Sequence, residues 1–137
     1  MKIVIADDDQ NLLAMLVPHL EYKGHTVLLA VNGAEFLKKI AVTRADLIIS
    51  DINLPVFDGI ELYKKTRELP HYAATPFILW SGIETEKGAA AAAKDLKLRF
   101  LKKPFSLAVL QKVMEDLTSM PLFGDNDLPN GRPGLKI

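Results

Sequence analysis

Short apolar runs alternate with longer stretches of helical periodicity along most of the chain. The apolar runs are strand candidates, and they span residues 3–6, 26–30, 47–49, 76–80 and 99–101. After each run, apolar residues recur every three or four positions, as in Leu13, Leu16 and Leu20, and this spacing predicts five helices. Because helices separate consecutive strands, we expect the strands to run parallel. The pattern therefore predicts an α/β fold with helices on both faces of a five-stranded sheet.

The periodic pattern ends shortly after Leu117. From residue 119 onward, prolines and glycines are interspersed and no hydrophobic period is visible. We therefore expect one domain over residues 1–118, followed by a linker or flexible tail over residues 119–137.

Composition and charge exclude several classes of protein. The 17 basic and 17 acidic residues give a formal net charge of zero, which does not favour nonspecific binding to nucleic acid or to an anionic membrane. No cysteine is present, so disulfides and thiolate metal sites are excluded. The apolar runs are too short to cross a bilayer, and Met1-Lys2 leads directly into the first strand. We expect a soluble, cytoplasmic domain with no direct contact to nucleic acid or membrane.

Polar residues follow four of the five predicted strands at their carboxyl ends, where open parallel sheets bind ligands. These residues are Asp7 and Asp8 after the first strand, Asp51 after the third, Ser81 after the fourth and Lys103 after the fifth. Each has an ordinary explanation when taken alone. The run Asp7–Asp9 could simply be acidic residues at a helix N-terminus, and Lys103 could be a solvated surface lysine. The joint pattern is more specific, because all of these groups fall on one edge of the sheet.

The clustered carboxylates need a cation or a proton. Two negative charges about 5 Å apart repel by roughly 3 kcal/mol at an effective dielectric constant near 20. Either one carboxyl group is protonated, with a raised pKa, or a cation joins the cluster. Carboxylate oxygens favour Mg²⁺, with Mn²⁺ as an alternative, over Zn²⁺. With the metal bound, Asp51 would be a plausible nucleophile towards phosphorus, and Lys103 and Ser81 could interact with phosphoryl oxygens.

Four motifs in order resemble the receiver domain of response regulators in two-component signalling. They are Ile3 to Asp9, Ile48 to Pro55 with Asp58-Gly59, Trp80-Ser81-Gly82, and Phe100 to Phe105. The resemblance covers residues 1 to about 118 and implies a flavodoxin-like sheet of strand order 2-1-3-4-5.

The resemblance also implies a role for each site residue. Asp51 would be phosphorylated by a histidine kinase or a histidine phosphotransfer protein. Asp8, Asp51 and the main-chain carbonyl of Asn53 would bind Mg²⁺ directly, and Asp7 would act through a bound water. Ser81 would donate a hydrogen bond to the phosphoryl group and Lys103 would pair with it. The Lys103–Pro104 peptide bond would be cis, as is usual in this family.

By the same resemblance, Phe100 matches the aromatic switch position on the fifth strand. We expect Ser81 to move towards the phosphoryl group and Phe100 to turn inward, which would reshape the face formed by the fourth helix, fifth strand and fifth helix. That face would control a downstream protein, and the family also allows homodimer formation through it. Trp80 should point to the opposite side of its strand from Ser81 and fill the core.

Two other functions stay open from the sequence. A Mg²⁺-dependent phosphohydrolase could use Asp51 as its nucleophile, but many such enzymes place an acid two residues later, where this chain has Asn53. The third interpretation is a scaffold that is never phosphorylated, against which the complete set of site residues argues. We expect a signalling phosphoacceptor and not an enzyme, with self-phosphorylation from small donors and slow autodephosphorylation.

Overall fold

A computed structural model describes residues 1–54, 57–83 and 86–119 of the chain. The five strands are β1 (Lys2–Ala6), β2 (Thr26–Ala30), β3 (Leu47–Asp51), β4 (Phe77–Ser81) and β5 (Leu98–Lys102). The five helices are α1 (Gln10–Tyr22), α2 (Gly33–Val42), α3 (Gly59–Arg67), α4 (Glu86–Lys94) and α5 (Leu107–Ser119), with a 3₁₀ turn at Pro70–Tyr72. The predicted alternation of strands and helices is confirmed.

The sheet is parallel throughout, and its strand order is β2-β1-β3-β4-β5. This is the flavodoxin-like order that the family resemblance implied. The chain passes from β2 over β1 to β3, so β1 and β3 are neighbours. The helices that follow them, α1 and α3, lie on opposite faces of the sheet. The resulting crevice lies beyond the carboxyl ends of β1 and β3.

The core has two layers, one on each face of the sheet. On one face, α1 and α5 pack against β-strand residues that include Ile3, Ile5 and Trp80. On the other face, α2 and α3 pack against alternate residues such as Val4 and Leu79, with alanines of α4 at the margin. Successive strand side chains point to opposite faces, so every central strand is apolar on both sides.

Local hydrogen bonds define where the helices begin and end. Asp9 caps α1 by accepting the Leu12 N–H at 3.1 Å, and Ser106 accepts the Val109 N–H at 3.1 Å as α5 begins. After α1, Gly24 has a φ of 94°, a left-handed conformation that favours glycine. Asp9 and Ser106 thus cap the starts of α1 and α5, and Gly24 follows the end of α1.

Helix α5 continues to Ser119, and residues 120–137 of the predicted tail lie outside the described residues. The division into a domain at 1–118 and a tail at 119–137 stays a prediction. Pro55, which belongs to the second family motif, also lies outside the described residues. Within the described ranges, none of the helices combines the length and apolar character needed to cross a membrane.

Candidate functional site

Three acidic side chains meet at the carboxyl edge of the sheet. Asp7 directly follows β1, Asp51 is the last residue of β3, and Asp8 follows Asp7. Each of the three offers a carboxylate oxygen, and these oxygens all lie within 4.8 Å of one another. Asp7 is fully buried and Asp51 is 8% exposed, whereas Asp8 is exposed. The sequence therefore predicted correctly that these residues share one crevice.

Strand register explains this convergence. Ala6 of β1 lies opposite Ser50 of β3, so the next row of the sheet brings Asp7 beside Asp51. In the same row, Asp51 lies opposite Trp80 of β4. Because Asp7 follows Ile3 and Ile5 in alternation, its carboxylate points towards the face that carries α1 and α5.

Lys103 brings a positive charge to the buried carboxylates. Its Nζ lies 2.9 Å from Asp7 Oδ2 and 3.3 Å from Asp51 Oδ2, and its own N–H donates to Ser81 O at 2.8 Å. Burial acts to lower the pKa of Lys103, but Asp7 and Asp51 outweigh it and hold that pKa above its usual value. Lys103 therefore carries its charge at neutral pH. The Lys103–Pro104 peptide bond is cis, as the resemblance implied.

Both oxygens of Asp51 have a donor. Oδ1 accepts the Asn53 N–H at 3.0 Å, and Oδ2 contacts Lys103. Burial raises the pKa of Asp51, against the opposing effects of the Asn53 N–H and the Lys103 ammonium. A cation next to Asp51 would favour the charged form of the carboxyl group and lower this pKa. A bound metal ion would therefore oppose the effect of burial on Asp51.

Gly59 at the start of α3 makes room for the main chain of the Asp51 strand end. A Cβ placed on Gly59 would lie 2.3 Å from Asp51 O and 2.8 Å from Ile52 Cα. The Gly59 N–H donates to Ile52 O at 2.8 Å, which holds the two segments together. This close approach explains why the sequence needs glycine there.

Ser81 lies at the same edge, at the end of β4. Its Oγ accepts the Ile83 N–H at 3.3 Å and contacts Asn53 Nδ2 at 3.4 Å. Phe100 on β5 is half-buried and packs against the core on the α4 side. Asn53 therefore links Ser81 to Asp51 of the acidic cluster. Phe100 lies on the neighbouring strand, three residues before Lys103.

Trp80 has a role at the site that the sequence did not reveal. The indole is fully buried in the α1 and α5 side of the core, which confirms the prediction that it fills core opposite Ser81. Its Nε1–H also donates to Asp7 Oδ2 at 2.6 Å, and its ring stacks on Phe105 with centroids 5.0 Å apart. Strand alternation combined with the β1–β3 and β3–β4 registers shows that Asp7 and Trp80 share a face.

The three consecutive aspartates divide between two roles. Asp9 serves as the cap of α1, which is the helix-terminus interpretation of this run. Asp7 and Asp8 join Asp51 in the acidic cluster. In the described part of the chain, the Asp8 carboxylate has no hydrogen-bond or ion-pair partner. An exposed, unengaged carboxylate beside two others is a donor set that fits a hard divalent cation such as Mg²⁺.

Comparison with known proteins agrees with this geometry. Residues 3–115 match the family model for the response regulator receiver domain. The transcriptional regulatory protein PhoP of Bacillus subtilis is 40% identical over 107 residues, which are 77% of this chain and 43% of PhoP. The transcriptional regulatory protein PrrA of Mycobacterium leprae is 33% identical over 109 residues, 80% of this chain and 46% of PrrA. The chain thus spans less than half the length of these curated relatives.

Solved structures show the same fold. The chemotaxis response regulator CheY4 of Vibrio cholerae superimposes with a TM-score of 0.70 at 32% identity, covering 82% of this chain and 97% of CheY4. With a family match over most of its length, the chain belongs to the response-regulator receiver domains of two-component signalling.

Proposed function

We propose that this receiver domain accepts a phosphoryl group on Asp51 from a histidine kinase or a histidine phosphotransfer protein, in a reaction that depends on Mg²⁺. The observation that carries the proposal is the meeting of three carboxylates with the Lys103 ammonium at one edge of the sheet. Family membership supports the same role, since the relatives are response regulators.

The chain's own residues supply most of what the transfer requires. An oxygen of Asp51 forms a bond to phosphorus while the P–N bond of the donor phosphohistidine breaks, and the imidazole nitrogen keeps the electron pair. The Asn53 N–H and Lys103 hold the Asp51 carboxylate in place. Lys103 then pairs with a phosphoryl oxygen, and the Ser81 hydroxyl donates a hydrogen bond to another.

Asp8, Asp51 and the main-chain carbonyl of Asn53 would hold Mg²⁺, with Asp7 acting through a water, and Mn²⁺ could replace it. When bound, the ion would supply positive charge that offsets the carboxylates and the phosphoryl oxygens. Asp7 is suited to the indirect role, because Oδ2 already accepts bonds from Lys103 and Trp80.

The output of phosphorylation would be a change in surface shape. A phosphoryl group adds about two negative charges at Asp51. Ser81 would move towards it, and Phe100, now half-buried, would turn further into the core. The face formed by α4, β5 and α5 would then engage a downstream protein, or a second copy of the chain in a homodimer.

The phosphohydrolase alternative lacks support at one position. An aspartyl phosphatase needs a group that can give and take a proton near the nucleophile. Asn53 occupies the expected position, and its side-chain amide contacts Ser81 Oγ. We therefore propose a phosphoacceptor that labels itself from small donors and loses the phosphoryl group slowly, not a turnover enzyme.

The remaining parts of the proposal concern the cellular setting. We propose a cytoplasmic domain over residues 1–118 with a tail at 119–137, acting through protein contacts and not by binding nucleic acid or membrane. The zero net charge supports this, because nonspecific nucleic-acid binding relies on excess lysine and arginine.

Incubation with acetyl phosphate, followed by intact mass measurement, tests the function. One added phosphoryl group per chain is expected with Mg²⁺, and none after removal of the metal with EDTA. Asp51→Asn should take up no phosphoryl group, and Asp46→Asn is its matched control, which should be labelled like the unsubstituted protein. Asp46 is exposed and directly precedes β3, the strand that ends at Asp51. Continuous turnover of many phosphate esters would support the phosphohydrolase instead, and absence of any label would support the unphosphorylated scaffold.

A further inference from the structure

We propose that Trp80 is a positioning residue of the metal and phosphoryl site, whose indole N–H holds the buried Asp7 carboxylate when Lys103 moves to the phosphoryl group. This inference rests on the proposed phosphoacceptor function. It concerns a residue whose size and burial would otherwise mark it only as core.

The hydrogen bonds of Asp7 show why it needs a second donor. Oδ1 accepts the Asp9 N–H at 2.8 Å, while Oδ2 accepts both the Trp80 indole at 2.6 Å and Lys103 at 2.9 Å. Asp7 is fully buried, so a carboxylate oxygen that loses its partner there cannot turn to bulk water. Once Lys103 pairs with a phosphoryl oxygen, the indole N–H is the donor that stays on Oδ2.

The surroundings of the indole keep it in place. Trp80 is fully buried among side chains of α1 and α5, and its ring stacks on Phe105 with an interplanar angle of 26°. Phe105 follows Lys103 by two residues, and Lys103 Nζ lies 5.5 Å from the centroid of the Trp80 ring. The indole therefore contacts Asp7, Lys103 and the loop after β5 together, and it would respond to a movement of Lys103.

Calorimetric titration with Mg²⁺, and then with fluoroberyllate in saturating Mg²⁺, tests the proposal. Trp80→Phe keeps an aromatic ring and removes the donor. We expect it to weaken Mg²⁺ binding by about tenfold and fluoroberyllate binding by more, in line with the effect of groups that orient metal ligands. Ile78→Val is the matched control, because Ile78 is buried on the same strand and face, and it should change both affinities less than about twofold.

A double-substitution cycle separates positioning from packing. In an Asp7→Asn background, Trp80→Phe should change neither affinity by more than about twofold, because the carboxylate it positions is gone. Equal losses in Trp80→Phe and Ile78→Val, or an undiminished effect in the Asp7→Asn background, would overturn the inference and leave the proposed function intact. No Mg²⁺ binding by the unsubstituted protein would overturn both.

A measurement on the intact tryptophan covers the case in which Trp80→Phe fails to fold. The chain has one tryptophan, so its ¹⁵N–¹H spectrum contains a single indole peak. That peak should shift upfield and exchange faster in Asp7→Asn than in the unsubstituted protein, and it should persist when fluoroberyllate binds. An indole peak that does not move in Asp7→Asn would contradict the hydrogen bond and the proposal.

Discussion

Lys103 Nζ lies closer to Asp7 Oδ2, at 2.9 Å, than to Asp51 Oδ2, at 3.3 Å. The lysine is thus held between the two buried carboxylates, with its shorter contact to the residue that is not the proposed phosphoacceptor. Its charge has two opposed effects. It stabilises the carboxylates when no metal is present, and it repels a divalent cation that binds among them.

Lys103→Met should therefore lower stability without metal and strengthen metal binding. We expect a loss of about 3 kcal/mol in the free energy of unfolding, because two buried carboxylates lose their charged partner. Mg²⁺ should bind roughly 3- to 10-fold more tightly and restore most of that loss. Urea unfolding with and without Mg²⁺ measures both effects. Lys102→Met, at an exposed neighbouring position, should leave stability and metal affinity unchanged.

Gly59→Ala should destabilise the domain. The added methyl group would overlap Asp51 O and Ile52 Cα, which are main-chain atoms and cannot move as a flexible side chain can. We expect a loss of at least about 2 kcal/mol in the free energy of unfolding. Gly82→Ala is the control, since a Cβ there has no heavy atom within 4 Å, and equal losses in both variants would contradict the steric argument.

Ser81→Ala should separate phosphorylation from the change at Phe100. Lys103 still pairs with the phosphoryl group in this variant, so labelling from acetyl phosphate should continue at a rate reduced about tenfold. The Phe100 ring resonances, assigned with a Phe100→Leu spectrum, should shift on fluoroberyllate binding in the unsubstituted protein and stay fixed in Ser81→Ala. The same Phe100 shift in both proteins, or none in either, would contradict the proposed switch.

Asp95 should make the stability of the domain sensitive to acid. It accepts a hydrogen bond from Lys97 N–H at 2.9 Å and one from Arg67 Nε at 2.8 Å, and it also accepts from the Tyr63 hydroxyl. Burial acts to raise the pKa of Asp95, but Tyr63 and Arg67 outweigh it and hold the pKa below its ordinary value of 3.8. A carboxyl group with a lowered pKa stabilises the fold above pH 3.8 and loses that contribution as pH falls through the lowered value.

Asp95→Asn should consequently cost about 1 to 2 kcal/mol at pH 7. The difference from the unsubstituted protein should shrink as pH falls below 3.8. Asp116→Asn is the control, because the Asp116–Lys112 pair is exposed and should contribute less than about 0.5 kcal/mol. Thermal unfolding between pH 2.5 and 7 provides the comparison, and a difference that stays constant over this range would contradict the assignment.

The sequence alone predicted the strands and the edge of the sheet where the polar residues meet. Parallel strands separated by helices have their carboxyl ends at one edge, so the pattern placed Asp7, Asp51 and Lys103 at the same edge of the sheet. The strand order came from the family resemblance. Alternating strands and helices do not by themselves determine which strands are neighbours, because several right-handed crossover arrangements satisfy the same pattern.

The bond between Trp80 and Asp7 was not predicted, because it joins residues 73 positions apart on strands that do not pair. Alternation along β4 placed Trp80 in the core, which is correct, and suggested no polar role for it. The role depends on the β1–β3 and β3–β4 registers together, which set Asp7, Asp51 and Trp80 in one row. Register is a tertiary property that local periodicity does not define.

The site of phosphorylation tests the central claim most directly. After incubation with acetyl phosphate and Mg²⁺, borohydride reduction of the acyl phosphate marks the modified carboxyl group for peptide mass spectrometry. We predict that the mark falls on Asp51, requires Mg²⁺, and disappears in Asp51→Asn. A mark on another residue, or equal phosphoryl incorporation by Asp51→Asn, would contradict the proposal that this edge of the sheet is a phosphoacceptor site.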